Sequence, residues 1–393
     1  MWFRTFRFLQ MAALGAYLIF LPVYLVERGL SLEQVGLVAT VPVAVQLVSG
    51  ILWGALADLR GRTRPFLIQA LVVWAGSAFV LPLISAFPGF LALGVCRALL
   101  TPMMEGLIVT SLFKGAREDG RGAAYSGFAV WGSVGWATGV GLAGAIARGF
   151  GTAGAFYFAG ALLLCASLAA FAIPEPEEVA VESPGRRGLG IALELFGNRR
   201  VLRLLLSSLP LVLAINATSQ FFPVRLREVG ASAALIGAVY MVPAFLEIPV
   251  FLVIGKWSDR RGSRRPLLLM AAGVYVGLFS LISLLVDPSR LFLSYALLEP
   301  LAWAPFVTGA FTLVAEIVPR RSWATGQTVF SLWMWSVGGM MGPLFGGFLA
   351  QRWGLPTLFF RARRWRPQFL PSLPVASGSE AAAPRSRITV SRG

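Results

Sequence analysis

The chain has 393 residues, of which 57% are hydrophobic and only 13% are charged. A soluble domain carries roughly 25% charged residues, so the composition excludes an ordinary soluble globular protein. The chain has no histidine and only two cysteines, both within apolar segments, so we expect no metal, no disulfide framework and no organic cofactor.

Apolar segments of about 20 residues recur along the chain, and a helix of that length crosses a bilayer. They predict an all-α polytopic membrane protein with six helices in residues 1–174 and five in residues 201–360. A Pro-, Glu-, Gly- and Arg-rich segment, residues 175–200, separates the two groups and predicts a cytoplasmic linker. The predicted helices are 8–26, 34–57, 66–85, 89–113, 124–147, 154–173, 203–224, 233–256, 267–286, 291–317 and 324–350.

The basic residues concentrate on one side of the predicted membrane. If the segments alternate sides, the loops that follow the even-numbered helices lie with the N-terminus and hold most of the arginines and lysines. This bias is the positive-inside pattern, so we predict a cytoplasmic N-terminus in a bacterial-type inner membrane. The same distribution accounts for the formal net charge of +16 without a nucleic-acid partner. Membrane lipids are the expected surroundings.

The sequence repeats itself at an offset of 201 residues. The strongest block aligns Gly54, Asp58, Arg60, Gly61, Arg64 and Pro65 with Gly255, Asp259, Arg261, Gly262, Arg265 and Pro266. Two parallel six-helix halves are what a carrier that rocks between two orientations requires. The repeat therefore indicates a transporter and not an enzyme, and no nucleophile–base pair in the sequence points to catalysis.

The repeated loop also carries a family resemblance. Gly54-Ala-Leu-Ala-Asp58-Leu-Arg60-Gly61-Arg62 resembles the signature loop of the major facilitator superfamily, and its second copy starts at Gly255. The resemblance implies the major facilitator fold and a conformational latch made of Gly54, Asp58, Arg60, Gly61, Arg62, Gly255, Asp259, Arg261 and Gly262. In such a loop a carboxylate accepts hydrogen bonds from a facing helix end and a glycine makes the turn. The alternative is an ordinary basic loop.

Three stretches resemble the lactose permease-like and phenylpropionate permease-like branch of that superfamily: residues 20–31, 132–137 and 247–252. The resemblance implies that Glu105 and Trp136 bind substrate. Arg97 joins them as a candidate because an ionisable residue at bilayer depth is costly unless it is paired or wetted. For Trp136, helix packing is the alternative.

Glu247 in the eighth predicted helix and Glu299 in the tenth are the candidate ion-coupling residues. Burial penalises the charged form of a carboxyl group, so such a residue can load and release a proton inside the membrane. We predict H⁺ as the coupling ion, with Na⁺ as the alternative. Since the chain has no histidine, a proton relay would use carboxyl groups alone.

The repeat predicts a twelfth helix after Gly354, but residues 361–393 are rich in Arg, Pro and Ser and hold no long apolar run. We predict that this helix is missing and that the tail is disordered or frameshifted. The sequence as a whole predicts a monomeric secondary transporter of a small organic solute, working by proton-coupled symport. The alternatives are a multidrug-type efflux carrier and a transport-inactive sensor or remnant without the twelfth helix.

Overall fold

The computed structural model describes residues 2–60, 64–101, 121–173, 197–260, 264–318 and 323–363, and these residues form helices and no strand. The first half contains α1 (Trp2–Glu27), α2 (Leu32–Arg60), α3 (Arg64–Val80), α4 (Phe87–Leu100), α5 (Arg121–Phe150) and α6 (Thr152–Phe171). The second contains α7 (Arg199–Glu228), α8 (Ala233–Arg260), α9 (Arg265–Leu284), α10 (Pro288–Ile317), α11 (Trp323–Leu332) and α12 (Gly338–Arg363). A π-helical turn, Trp333–Val337, joins α11 to α12. The predicted all-α membrane fold is confirmed.

Nine helices in the described part of the chain are long and apolar enough to cross a membrane. Helix α4 is shorter, with 14 residues, and the eleventh crossing is divided among α11, the π turn and the first part of α12. We call the face of the bundle where α1 begins the N-side, and the face where α1 ends at Glu27 the far side.

The backbone preserves the repeat. The positive φ angles in the described part of the chain belong to two repeat-related glycine pairs: Gly29 and Gly230 at 85° and 88°, and Gly151 and Gly354 at 76° and 78°. Only glycine adopts this conformation without steric cost. Gly151 separates α5 from α6, whereas Gly354 breaks α12 internally.

Helix α12 therefore contains the start of the twelfth crossing. After Gly354 the helix resumes and is described to Arg363, and Phe359 in this stretch is fully buried. The prediction that this helix is missing is therefore wrong for its first two turns. These turns are helical because they pack against α7 and α9. The rest of the predicted tail lies outside the described residues.

Small residues set the packing inside each half. Gly135 and Gly139 of α5 leave no room for a side chain against the α1 backbone, and Gly342 of α12 lies equally close to the α7 backbone near Ala217. Without a hydrophobic force between helices in lipid, such close backbone approach is a main source of helix association.

The two halves meet through α2 with α12 and through α5 with α8. Gly36 approaches the backbone at Pro343, and Gly144 approaches Gly237; Gly36, Gly144 and Gly237 lie near the far-side ends of their helices. At the N-side, Arg4, Thr5, Phe8 and Trp131 line an open cavity of about 680 Å³. The bundle is thus closed at the far side and has a cavity at the N-side.

Candidate functional site

Two acidic side chains meet inside the second half. The carboxyl groups of Glu247 on α8 and Glu299 on α10 lie close enough to share a hydrogen bond. An ionised carboxylate only accepts hydrogen bonds, so the two groups can share one only if one of them keeps its proton. The structure therefore brings the two predicted ion-coupling residues together in an arrangement that can hold one proton between them.

Three tyrosines surround this acidic pair: Tyr240 on α8, Tyr275 on α9 and Tyr295 on α10. Each interacts electrostatically with Glu299, and their exposed fractions are only 8%, 4% and 8%. Tyr240 is two helical turns from Glu247, and Tyr295 is one turn from Glu299, so each helix presents its tyrosine and its acid on one face. We call these five residues the acidic–tyrosine cluster.

Aromatic contacts fix the cluster. The rings of Tyr240 and Tyr295 lie 5.5 Å apart, and Phe222 of α7 stacks on Tyr295 at 4.6 Å. Tyr275 stacks in turn on Phe279 at 5.4 Å. Such pairs add stabilisation beyond the area that they bury. Helices α7, α8, α9 and α10 therefore hold the acidic pair in place.

Two polar atoms of the cluster are shielded from solvent and have no hydrogen-bond partner among the described residues: the Tyr240 hydroxyl and Glu299 Oε2. Buried polar groups are nearly always paired, so each such exception calls for an explanation.

In the first half, Arg97 lies between aromatic rings. Its guanidinium is 4.6 Å from the centre of Trp74 and 5.9 Å from that of Tyr17. It also lies in the last turn of α4, where the unpaired carbonyl groups of the helix end favour a positive charge. Two physical interactions thus stabilise this charge at bilayer depth.

The end of α4 accepts four side-chain hydrogen bonds, three of them from neighbouring helices. The carbonyl oxygens of residues 97–100 accept, in order, from Thr101 Oγ1 at 2.8 Å, Ser49 Oγ at 2.7 Å, Trp53 Nε1 at 2.8 Å and Gln69 Nε2 at 3.0 Å. The last four carbonyls of a helix have no partner within it. Side chains of α2 and α3 therefore supply most of the hydrogen-bond donors that the next turn of a continuing helix would supply.

The predicted substrate residues are not brought together in the described part of the chain. Trp136 of α5 lies against Gly15 of α1, whereas Arg97 lies against Tyr17, two residues further along α1. Two residues turn a helix by about 200°, so these contacts lie on nearly opposite sides of α1. Glu105 lies outside the described residues. Substrate binding by these three residues stays a prediction.

Little of the predicted latch can be described. Gly61, Arg62, Arg261 and Gly262 lie outside the described residues; Gly54, Asp58 and Arg60 are in α2, and Gly255 and Asp259 are in α8. Beside the second loop, Arg264 Nε contacts Glu316 Oε1 of α10 at 2.7 Å, and Arg264 Nη1 donates to Ser258 Oγ at 2.8 Å. This ion pair ties α8 and α9 to the end of α10.

The far side carries an ion pair between the halves that the sequence did not lead us to expect. Arg227 Nε contacts Glu27 Oε1 at 3.0 Å, and Glu27 Oε2 also accepts from Thr152 at 2.5 Å. The repeat symmetry is broken at this point, because Glu228, the counterpart of Glu27, pairs with Arg225 in its own half.

Two hydrogen bonds join the halves beside this ion pair. The Leu32 amide donates to Gln351 at 2.9 Å, and the Thr40 hydroxyl donates to the Met340 carbonyl at 2.8 Å. Both bonds run between α2 and α12, so polar contacts accompany the close glycine contacts of the same helices.

Comparisons with known proteins agree with this architecture. The sequence profile of the MFS_1 like family matches residues 1–362. A maltose permease of Geobacillus stearothermophilus is 27% identical over 91% of this chain and 90% of its own length. A multi-drug resistance efflux pump, PmrA, of Streptococcus pneumoniae is 26% identical over 91% of this chain and 90% of its own length.

Solved structures share the fold. The nucleoside transporter NupG superposes with a TM-score of 0.81 at 16% identity, covering 95% of this chain and 97% of that one. A bacterial homologue of the human lysosomal transporter Spinster, described as inward-facing and unoccupied, gives a TM-score of 0.74 at 17% identity, covering 95% and 94%. With its profile match, its two parallel halves and these neighbours, the chain belongs to the MFS_1 like family of the major facilitator superfamily of membrane transporters.

Proposed function

We propose that the chain is a secondary carrier that moves a small organic solute together with protons, by alternating access, across a bacterial inner membrane with its N-terminus in the cytoplasm. The observation that carries the proposal is the close approach of the Glu247 and Glu299 carboxyl groups. Such a pair can hold a proton at a buried position between two helices of the second half, which is where a proton-coupled carrier needs one.

The shape of the bundle supports alternating access. The far side is closed by direct contacts between the halves, and the cavity at Arg4, Thr5, Phe8 and Trp131 lies at the N-side. A carrier that rocks about a central site exposes that site to one side at a time. With the N-terminus in the cytoplasm, this cavity would open toward the cytoplasm.

A drug-exporting carrier is the second candidate function. It is favoured by the similarity to the pneumococcal multi-drug resistance efflux pump, which covers the same share of the chain as the similarity to the maltose permease. The same acidic pair would then exchange its proton for the exported compound.

Transport in liposomes tests both candidates. The purified chain is reconstituted with a pH-sensitive dye inside, and maltose or a cationic dye such as ethidium is added outside as the first probes. Symport of maltose would acidify the lumen, whereas antiport of the cationic dye would make it alkaline. Solute flux that is unaffected by a proton gradient would contradict the proposed proton coupling.

Substitutions locate the coupling in the acidic pair. E247Q and E299Q each keep the shape of the side chain but cannot exchange a proton, so proton movement should fall to the level of protein-free liposomes. The matched control is E33Q, because Glu33 is an exposed carboxylate in the first turn of α2 remote from the cluster. Full proton movement in both cluster variants would contradict the assignment.

A further inference from the structure

The acidic–tyrosine cluster contains a donor and an acceptor that lack partners. The Tyr240 hydroxyl can donate a hydrogen bond and Glu299 Oε2 can accept one, both atoms are shielded from solvent, and the two residues interact electrostatically. While the pair holds a proton, Glu299 can bond to the neighbouring Glu247 instead. The donor and the acceptor without partners could therefore bond to each other in a second arrangement of the same cluster.

Loss of the shared proton would create that second arrangement. Two ionised carboxylates have no hydrogen to share and repel each other, so the bond between Glu247 and Glu299 breaks. A Glu299 carboxylate then needs a donor within the protein, because Oε2 has no access to water. The Tyr240 hydroxyl is the neighbouring buried donor that is free to fill this role.

Tyr240 differs from the other groups around Glu299. Helix α9 contributes Tyr275 and α10 itself contributes Tyr295, but among the three described tyrosines only the Tyr240 hydroxyl is both shielded from solvent and without a partner. Helix α8 contributes Glu247, which carries a like charge. Phe222 of α7 is apolar, and α11 contains no ionisable side chain.

Tyr240 also lies where the two halves touch. Its helix, α8, contacts α5 of the first half through Gly237, which meets Gly144, and through Met241, which meets Gly141. Tyr240 is in the same turn as both contact residues. A change in the hydrogen bonding of its hydroxyl would therefore occur beside the interface that closes the far side.

We propose that Tyr240 is a positioning residue of the proton site: its hydroxyl binds Glu299 when the acidic pair releases its proton, and so links proton release to the contact between α8 and α5. This inference rests on the proposed proton coupling and adds to it the group that stabilises the unloaded site.

Proton titration tests the inference without a known solute. The carboxyl infrared band of the purified full-length chain is followed against pH for the wild type, Y240F, Y275F and Y295F. A hydrogen bond to a charged group is among the stronger ones, so Y240F should bind the proton about tenfold more tightly and lose the band at higher pH. Y275F and Y295F, which remove the same group from the same surroundings, should titrate within about twofold of the wild type.

A double substitution separates positioning from a general effect on packing. Because Tyr240 acts through Glu299, Y240F should have no effect on the remaining Glu247 band when it is added to E299Q. A Y240F titration equal to that of the wild type would overturn the inference and leave proton coupling standing. A wild-type band that never titrates while the chain is folded would overturn both.

Discussion

Arg97 is a charged residue for which sequence and structure suggest different roles. The sequence predicts that it binds substrate, whereas the structure places its guanidinium against Trp74 and Tyr17 and beside the carbonyl groups that end α4. A cation at a helix C-terminus and a cation over an aromatic face are each worth up to about 1 kcal/mol or somewhat more. Either role explains why a charge is kept at this depth.

Stability measurements on two variants separate these roles. We expect R97Q to lower the free energy of unfolding by about 1–2 kcal/mol, since it loses both interactions of the charge. R97K should lose less, because the charge at the helix end remains. Thermal unfolding in detergent measures both, with C96S as the control at a neighbouring exposed position. An R97Q protein as stable as the wild type would leave substrate binding as the role.

The acidic pair shows how far sequence reasoning reaches at this scale. Glu247 and Glu299 were predicted because ionised groups are costly within a membrane, and that rule needs no knowledge of contacts. Their tyrosine partners were not predicted, since Tyr240, Tyr275 and Tyr295 are unremarkable in apolar helices. Only the packing of three helices brings the five side chains together.

Among the helices, the break at Gly354 has a clear physical cause. Its φ of 78° is close to that of Gly151, its repeat counterpart. With a ψ of 159° it lies in a region that essentially only glycine adopts, and a residue with a Cβ atom is there at a cost of about 1–3 kcal/mol. The tight connection between the last two helices of each half therefore depends on a glycine.

Alanine substitutions at two glycines test this. G354A should lower the free energy of unfolding by about 1–3 kcal/mol because of its backbone conformation. G149A should raise it by about 0.5–1 kcal/mol, since Gly149 lies in α5 with open space around it and alanine favours a helix. Denaturation of the two variants beside the wild type gives both values. Equal effects at the two positions would contradict a conformational role for Gly354.

Most helix bounds were predictable, because the length of an apolar segment follows from the bilayer thickness. The start of the twelfth crossing was not, since Arg361 and Arg363 lie in a segment too short and too charged to be recognised as a span. Helix α4 differs in another way: it ends at Leu100, within the predicted 89–113 segment, whose remainder lies outside the described residues.

At the scale of the whole molecule, the Glu27–Arg227 pair is a test of what keeps the far side closed. The two side chains are 29% and 48% exposed, so water weakens their attraction to about 0–1 kcal/mol. The pair is one contribution among several, together with the bonds at Gln351 and Thr40 and the close glycine contacts.

Charge reversal should shift the equilibrium between the state with the far side closed and the state with the far side open. In a T40C protein without the native cysteines, we expect E27R to speed labelling by a water-soluble maleimide about two- to fivefold. Residue 40 is buried in the closed far side, so labelling would report its opening. Adding R227E to E27R restores opposite charges and should bring labelling back toward the starting rate. Labelling that is equally fast in the double variant would show that the pair does not hold the far side.

The two-half organisation was predictable because duplicated residues remain visible in the sequence, but the orientation of the halves was not. Glu27 and Glu228 are repeat counterparts, and nothing in their surroundings along the chain indicates that one bridges the halves while the other pairs within its own half. That difference arises from the way in which the two halves pack against each other.

Because the far side is closed, we expect inhibitors to act from one side of the membrane only. A bulky compound that cannot cross the bilayer would reach the N-side cavity, which residues of α1 and α5 line, from one compartment only. If its bulk hinders the proposed movement of the halves, it would block transport in vesicles of one orientation and leave the other untouched. The same protein would then be sensitive or resistant according to which compartment holds the drug.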